Sequence, residues 1–159
     1  MEYGEALRME GGYIIELRTP DGRLLDRQRV KNQLTAVNRD VRAQMLLGQF
    51  RRDKDALKIR YIAVGTGSTA ATVDDTKLEA EVFRKQVTQL VLLSPGVVRT
   101  IVSLGENEAN VRIREIGVFA GPAALEQADT GTMLSRAVVD INKNSNIIVN
   151  IIRTDTSTL

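Results

Sequence analysis

A glycine-rich turn after an apolar segment is the first stretch of this sequence that could do chemistry. Gly65-Thr-Gly67 follows the apolar residues 59–64, and glycine turns at the end of a strand can cradle a phosphate. A phosphate loop also needs a Lys followed by Ser or Thr, and a dinucleotide-binding loop needs a third Gly where position 70 is Ala. We therefore interpret the stretch as a turn that ends a strand, in which the glycines adopt positive φ.

Four acidic residues soon after this turn form a candidate metal site. Asp74-Asp75, with Glu79 and Glu81 nearby, offers oxygen ligands to calcium or magnesium. Their spacing does not match an EF-hand loop, and adjacent side chains point apart in an extended chain. A solvated acidic loop is therefore favoured, and we expect no bound metal.

A third candidate is a carboxylate surrounded by arginines. Glu115 has Arg112 and Arg114 beside it in sequence and Arg136 on a later segment, an arrangement that could frame a carboxylate catalyst. The same residues could instead form cross-strand ion pairs that fix the strand register or bridge two subunits. The sequence contains no His and no Cys, which removes the commonest general base and every thiol nucleophile. We therefore favour the ion pairs and expect no enzyme, no catalytic residue and no cofactor.

Length and composition indicate one globular unit without a membrane or nucleic-acid partner. The 159 residues, with a mass of 17.6 kDa, suffice for one domain with a hydrophobic core. No apolar run approaches the length of a membrane-spanning helix, and the N-terminus lacks the pattern of a signal peptide. A net charge of +2 and an aromatic content of 4% do not suit a nucleic-acid binder, which needs a dense basic face and stacking aromatics.

These candidate residues must be positioned by a largely β structure. Residues 10–31 predict a β-hairpin with its turn at Thr19-Pro-Asp-Gly22, and its return strand carries Arg23, Arg27 and Arg29. Two interpretations of these arginines stay open. They protect a sheet edge against unwanted pairing, or the hairpin is an arm that lies on a neighbouring acidic subunit.

Residues 32–48 predict one long amphipathic helix. Apolar residues recur there at spacings of three and four, and Gly48 is a natural C-terminal stop. The apolar positions are Leu34, Val37, Val41 and Met45. We expect this stripe to pack across one face of the sheet, and the charged residues 49–55 to form a loop.

The remainder of the chain predicts strands separated by polar turns. The predicted strands span 59–64, 81–93, 97–104, 111–119, 134–141 and 147–153, with a loop at 120–131. Gly117 interrupts an alternating pattern, where glycine often marks a bulge. The predicted fold class is mainly β (α+β), an antiparallel β-sandwich with an N-terminal β-hairpin and one long amphipathic helix packed on the sheet. A single domain, 1–159, comprises a hairpin arm at 1–31, the helix at 32–48 and a sandwich core at 57–154.

Three pieces of the sequence together resemble a known family. They are Val30-Lys-Asn32 before the helix, Ile62-Ala-Val-Gly-Thr-Gly-Ser-Thr-Ala-Ala71 with Asp74-Asp-Thr-Lys-Leu78, and Ile113-Arg-Glu-Ile-Gly-Val-Phe119 ahead of Met133-Leu-Ser-Arg-Ala-Val-Val139. Over residues 30–153 their order is similar to the tail-fibre or tail-collar-fibre type of virion proteins of tailed bacteriophages. Members of that family often carry an AVGTG strand and turn, a later Asp-Thr-x-Leu, an REIGLF-like strand and an LLAR-like strand. The N-terminal hairpin lies outside the resemblance, and residues 120–129 form a longer connection than is usual.

The resemblance implies a structural role in a virion, in the tail, collar or fibre attachment. A protein of this kind is made in the host cytoplasm and binds other copies of itself, as a trimer or hexamer, and other tail or capsid proteins. The side chains that we expect at its interfaces are Arg23, Arg27, Arg29, Arg112, Arg114 and Glu115.

Two other functions stay open. The first is a capsid decoration protein in the same kind of particle. The second is a carbohydrate-binding or carboxylate-dependent, glycan-active β-sandwich domain, which requires exposed aromatic side chains that stack on sugar rings. The aromatic residues available for stacking are Tyr3, Tyr13, Tyr61, Phe50, Phe83 and Phe119.

Overall fold

The chain folds into two antiparallel five-stranded sheets and one helix, in a computed structural model that describes residues 8–48 and 55–158. The elements are β1 (Arg8–Arg18), β2 (Leu24–Lys31), β3 (Gln33–Leu34), α1 (Ala36–Leu46), β4 (Ile59–Gly65), β5 (Glu81–Gln86), β6 (Gln89–Ser94), β7 (Val97–Leu104), β8 (Arg112–Ala120), β9 (Thr132–Asn142) and β10 (Ile148–Thr158). The first sheet has the order β2-β1-β10-β7-β6, and the second sheet has the order β3-β9-β8-β4-β5. The predicted antiparallel β-sandwich is confirmed.

The main hydrophobic core lies between the two sheets because alternate side chains of their strands point inward. On β4, Ile62 and Val64 enter this core, whereas Tyr61 and Ala63 face the opposite side of the second sheet. Both sets are covered, and Ile62–Gly65 are all buried. The strand predicted at 59–64 is therefore confirmed, and it lies inside the second sheet between β8 and β5.

A smaller apolar cluster covers the outer face of the second sheet. Leu78, from the segment between β4 and β5, packs there with Phe119 and Met133. A Cβ on Gly117 would lie 2.8 Å from Cδ2 of Leu78, so glycine at this position makes room for the covering segment. The predicted bulge at Gly117 is wrong, because the register of β8 against β9 shifts earlier, between Ile113 and Glu115, and again after Val118.

The N-terminal hairpin is an integral part of the first sheet. Its turn places Gly22 at φ 94°, as the Thr19–Gly22 sequence predicts. β1 pairs with β10 along its whole length, and β2 forms the edge of the sheet. The hairpin is therefore not an arm apart from a core at 57–154, because the pairing of the two chain ends completes the sandwich.

The helix differs from the prediction in its length and in its buried face. Residues 33–34 pair with β9 as a short strand, and Thr35 caps the helix by accepting a hydrogen bond from the Asn38 backbone N–H at 3.2 Å. α1 lies against β9 through Asn38, whose Nδ2 donates to the Leu134 carbonyl at 3.0 Å. Of the predicted apolar stripe, Val37 is exposed, whereas Leu34, Val41 and Met45 are half-buried. The helix lies on the sheet as predicted, but its buried residue is the polar Asn38.

Residues 81–93 form two strands in different sheets, not the single strand predicted. β5 is an edge of the second sheet, and β6 is an edge of the first. The chain crosses between the sheets at Val87, whose backbone N–H still donates to the Arg60 carbonyl at 2.7 Å. β7 has the predicted bounds, and β9 and β10 are longer than predicted because their additional residues pair with β8 and β1, respectively.

The described residues contain no helix with the length and apolarity needed to cross a membrane. The predicted loop at 49–55 lies outside the described residues except for Asp55, which begins a turn. The loop predicted at 120–131 is confirmed between β8 and β9.

Candidate functional site

The glycine turn after β4 binds a carboxylate that belongs to the chain itself. The Gly67 backbone N–H donates to Oε1 of Glu115 at 3.1 Å. The N–H groups of Ala80 and Glu79 donate to Oε1 and Oε2 of the same side chain, at 2.7 and 2.9 Å. Glu115 is 0% exposed. The turn therefore does accept an anion, which our interpretation of it as a plain turn did not predict, and the anion is an internal carboxylate.

Arg136 on β9 completes this internal site. Its Nε donates to Oε2 of Glu115 at 2.9 Å, and one terminal nitrogen donates to Asp75 at 3.1 Å and to the Ala70 carbonyl at 3.3 Å. The other terminal nitrogen lies 3.6 Å from the carboxylate of Glu79. We refer to Glu115, Arg136, Asp75, Glu79 and the backbone N–H groups of Gly67, Glu79 and Ala80 as the Glu115 cluster.

A shift of register between β8 and β9 brings Glu115 to this position. Ile113 is buried in the core between the sheets, and strict alternation would place Glu115 there as well. The register shift between Ile113 and Glu115 turns the carboxylate to the outer face instead, next to Arg136 on the neighbouring strand. Because of this shift, Glu115 lies on the outer face, where its carboxylate holds residues 66–80 by hydrogen bonds.

The two turn glycines are required for space and not for backbone conformation. Neither Gly65 nor Gly67 is among the described residues with positive φ, so the prediction that they supply positive φ is wrong. A Cβ on Gly65 would overlap the Ala80 carbonyl oxygen and Oε1 of Glu115. The absence of both side chains lets the backbone close around the carboxylate.

The electrostatics of the Glu115 cluster keep its outer members charged at neutral pH. Burial alone would lower the pKa of Arg136, but hydrogen bonds to Glu115 and Asp75 outweigh this and raise it. Burial alone would raise the pKa of Asp75, but hydrogen bonds from Thr72 and Arg136 outweigh this and lower it. Hydrogen bonds from Thr69 lower the pKa of the Glu79 carboxyl.

The geometry leaves Glu115 no role as an acid or a base. Each of its two oxygens accepts two hydrogen bonds, and its side chain is shielded from solvent. Of the arginines expected around it, only Arg136 is in contact. Arg112 pairs with Asp140 at 2.7 Å, and Nε of Arg114 is buried without a hydrogen-bond partner in the part of the chain that the structure describes. Because Glu115 is buried, it is also not available for the interface in which we expected it.

The acidic residues considered as metal ligands, for which the sequence favoured a solvated loop instead, form ion pairs and hydrogen bonds that fasten loops. Asp75 binds Arg136, Glu79 accepts hydrogen bonds from Thr69 at 2.8 and 2.9 Å, and Glu81 pairs with Arg84 at 2.6 Å. Within residues 8–48 and 55–158, no three or more acidic side chains come together as metal ligands. The acidic residues therefore spread over two separate ion-pair groups.

The second of these groups holds the loop before β9. Arg84 donates to the carbonyl oxygens of Leu125 and Thr130 at 2.9 and 3.1 Å, and its guanidinium lies 4.5 Å from the centre of the Phe119 ring. Glu81, paired with Arg84, also accepts the Asp129 backbone N–H at 3.1 Å. This long loop is thereby fixed against the outer face of the second sheet.

A third polar group lies between the sheets. Arg153 on β10 is buried and donates to Ser135 on β9, to Tyr13 on β1 and to Asp155. Burial alone would lower the pKa of Arg153, but Tyr13 and Asp155 outweigh this and raise it. This group links the two sheets.

The expected interface arginines of the hairpin lie along β2 and its turn. Arg23, Arg27 and Arg29 are all exposed, and Arg27 pairs with Glu16 on β1. This arrangement fits a sheet edge protected by charge. Both interpretations of these arginines, the protected edge and a contact with an acidic neighbour, stay predictions.

One exposed surface was missed by the sequence interpretation. All six residues of β6 are exposed, with Leu90 at 43%, Val91 at 50%, Leu92 at 68% and Leu93 at 44%. No charged residue occurs between Lys85 and Arg99. That gap in a chain with 26% charged residues is the sequence signal that points to this surface.

The described aromatic side chains do not form a platform for a sugar ring. Tyr13 and Phe119 are buried, and Tyr61 and Phe83 are half-buried. The remaining aromatic residues, Tyr3 and Phe50, lie outside the described residues.

The pKa of Asp75 leads to a prediction about acid stability. The pKa of Asp75 in the folded state lies below the ordinary 3.8. Its contribution to the free energy of unfolding is therefore fully present above the unfolded-state pKa and is lost as the pH falls through the folded-state pKa. We expect Asp75→Asn to lower the free energy of unfolding at neutral pH and to flatten its decline below about pH 4. Urea unfolding at a series of pH values measures both effects.

Asp74→Asn is the matched control, because it makes the same change of formal charge one residue earlier, whereas the ion pair with Arg136 is made by Asp75. Curves for Asp75→Asn and wild type that run parallel from neutral to acid pH contradict the prediction.

Three comparisons with known proteins complete this description. No family model, no curated protein and no solved structure matches the chain.

Proposed function

We propose that this chain is a structural component of a tailed-phage virion, in the tail, collar or fibre attachment. It acts through protein–protein contacts and through assembly into a symmetric oligomer. The observation that carries the proposal is the convergence of the phage-like sequence motifs on the Glu115 cluster.

Two of the three sequence pieces supply the parts of this cluster, and Val30-Lys-Asn32 is not among them. The AVGTG segment contributes the Gly67 N–H, and the segment around Asp74–Leu78 contributes Asp75 and leads into the Glu79 and Ala80 N–H groups. The REIG segment contributes the carboxylate, and the LSR segment contributes the guanidinium. Motifs that separately consist of common residues form one hydrogen-bonded unit, which supports treating them as a single pattern and supports the resemblance.

The character of the molecule also suits a structural role. The Glu115 cluster and the Arg153 group hold buried charges that are paired and hydrogen-bonded, a condition for stable burial. The surface carries apolar side chains on β6 and at the end of α1, where Leu46 is 91% exposed. Exposed apolar groups of this kind mark sites of protein contact.

Particles purified from the phage or lysogen that encodes this chain provide the test. After density-gradient purification, we expect mass spectrometry to detect the chain in intact virions in a fixed ratio to the major tail proteins. Immunogold labelling should place it on the tail, whereas labelling over the head surface would favour the capsid decoration alternative. A chain found only in the soluble fraction of the lysate overturns the proposal.

A further inference from the structure

β6 is an edge strand with the sequence of an interior strand. It pairs with β7 on one side, and no strand within residues 8–48 and 55–158 pairs with its other side, which is an edge of the first sheet. Leu90 lies opposite the buried Thr100, so Leu90 and Leu92 point to the side of the second sheet and Val91 points to the outer side. A continuous apolar run is typical of a strand that is covered on both faces, yet both faces of β6 are exposed.

The opposite edge of the same sheet shows the usual protection. β2 carries Arg27, Arg29 and Lys31 along its exposed edge. Charged side chains on an edge prevent it from pairing with another chain, and an uncharged apolar edge is a template for pairing. The first sheet is therefore protected on one side only.

We propose that β6 is an interface between two copies of this chain. The two β6 strands pair antiparallel across a twofold axis and join two five-stranded sheets into one sheet of ten strands. This inference rests on the proposed function, since it identifies the contact by which the subunit forms a symmetric assembly.

Charge identifies a second copy as the occupant. Pairing β6 of one copy with β2 of the next would bury the charges of Arg29 and Lys31 against a strand that offers no countercharge. An acidic or a basic peptide gains no attraction from a strand without charges. Two β6 strands, in contrast, bring only apolar and uncharged side chains together, so each buries the other without desolvating a charge.

The twofold axis restricts the register. Two residues that are paired across antiparallel strands point to the same side of the sheet. The twofold axis therefore has to place the outer side of one copy's sheet next to the outer side of the other's, which permits only some registers. A register centred on Val91 places Val91 opposite itself and Leu90 opposite Leu92 of the second copy. All of these pairs are apolar, which is the kind of cross-strand pair that stabilises a sheet.

The length of β6 indicates how strong the contact is. Six residues form an edge about 20 Å long. One strand edge of that length buries less surface than the roughly 800 Å² per partner of a standard stable interface. We therefore expect an association that depends on protein concentration. A twofold contact belongs in a dimer or in a hexamer of three such pairs, whereas a simple trimer has no twofold axis.

Light scattering coupled to size exclusion, at low and high protein concentration, tests the contact. The wild-type mass should rise from 17.6 kDa to an even multiple of it. Leu92→Glu places two like charges in the contact and should weaken association by at least about tenfold. Leu25→Glu is the matched control, because it puts the same charge on the β2 edge at a leucine that is 48% exposed, and it should associate as wild type does.

A pair of complementary variants tests the register. Leu92→Lys and Leu90→Glu should each remain monomeric alone, and an equimolar mixture should restore association because the two charges face each other. A wild-type chain that stays monomeric at high concentration, or a Leu92→Glu variant that associates like wild type, overturns pairing through β6. A mixture that stays monomeric overturns the register centred on Val91. Each failure is distinct from failure of the proposed function, which the content of purified virions decides.

Discussion

Glu115→Ala is expected to lower the free energy of unfolding by about 4 kcal/mol, which is typical when one partner of a buried ion pair is removed. The substitution leaves the guanidinium of Arg136, 2% exposed, without its buried countercharge. It also removes the acceptor of the Gly67, Glu79 and Ala80 N–H groups. Urea unfolding followed by circular dichroism measures the loss.

Asp140→Ala is the control for this prediction. It breaks the ion pair of Arg112 and Asp140, which also joins β8 to β9 but whose two side chains are 58% exposed. Exposed pairs contribute little, and we expect a loss much smaller than that of Glu115→Ala. Equal losses in the two variants contradict the prediction, since burial would then not decide the effect.

A double variant separates the two kinds of partner that Glu115 has. Replacing both members of a buried ion pair by apolar residues is often nearly neutral, because no unpaired charge remains. For Glu115→Met with Arg136→Met we still expect a loss of about 2 kcal/mol or more, because backbone N–H groups lose their acceptor and each unsatisfied group is costly. A double variant as stable as wild type shows that the backbone contacts contribute little.

The strands could be predicted from the sequence where one local rule decides them. The segments 59–64 and 97–104 combine the right length with apolar side chains and are bounded by turn residues, and the structure has strands at both places. The helix shows the limit of the same approach. Its periodicity was real, but Asn38 reaches the Leu134 carbonyl and residues 33–34 pair with β9, and both contacts depend on a strand about one hundred residues away.

The Glu115 cluster could be predicted residue by residue but not as one site. Composition and spacing identified the glycine turn, the acidic residues after it, and Glu115 with Arg136, each as a separate candidate. Their convergence depends on the register shift in β8 and on hydrogen bonds between residues 35 to 48 positions apart. A pattern of alternation carries no information about a bulge that reverses the face of one side chain.

Gly65→Ala is expected to lower the free energy of unfolding by about 3 kcal/mol, the upper part of the range for overpacking a core. The backbone conformation at this glycine is open to alanine, so strain in φ is not the cause. The new Cβ would overlap the Ala80 carbonyl oxygen and Oε1 of Glu115, and neither atom can move without breaking the hydrogen bonds that close the turn. Thermal and urea unfolding measure the loss.

Gly105→Ala distinguishes a glycine required for space from glycine in general. A Cβ there would meet its nearest atom, Oε2 of Glu108, at 3.6 Å, an ordinary contact, and Gly105 also lacks positive φ. Restricting the unfolded chain should then make this variant neutral or more stable by about 0.5 kcal/mol. If Gly65→Ala behaved in the same way, the turn would not be closed around Glu115. We expect the free energy of unfolding to fall for Gly65→Ala and to stay the same or rise for Gly105→Ala. This difference would show that glycine is required at position 65 because of the buried carboxylate of Glu115.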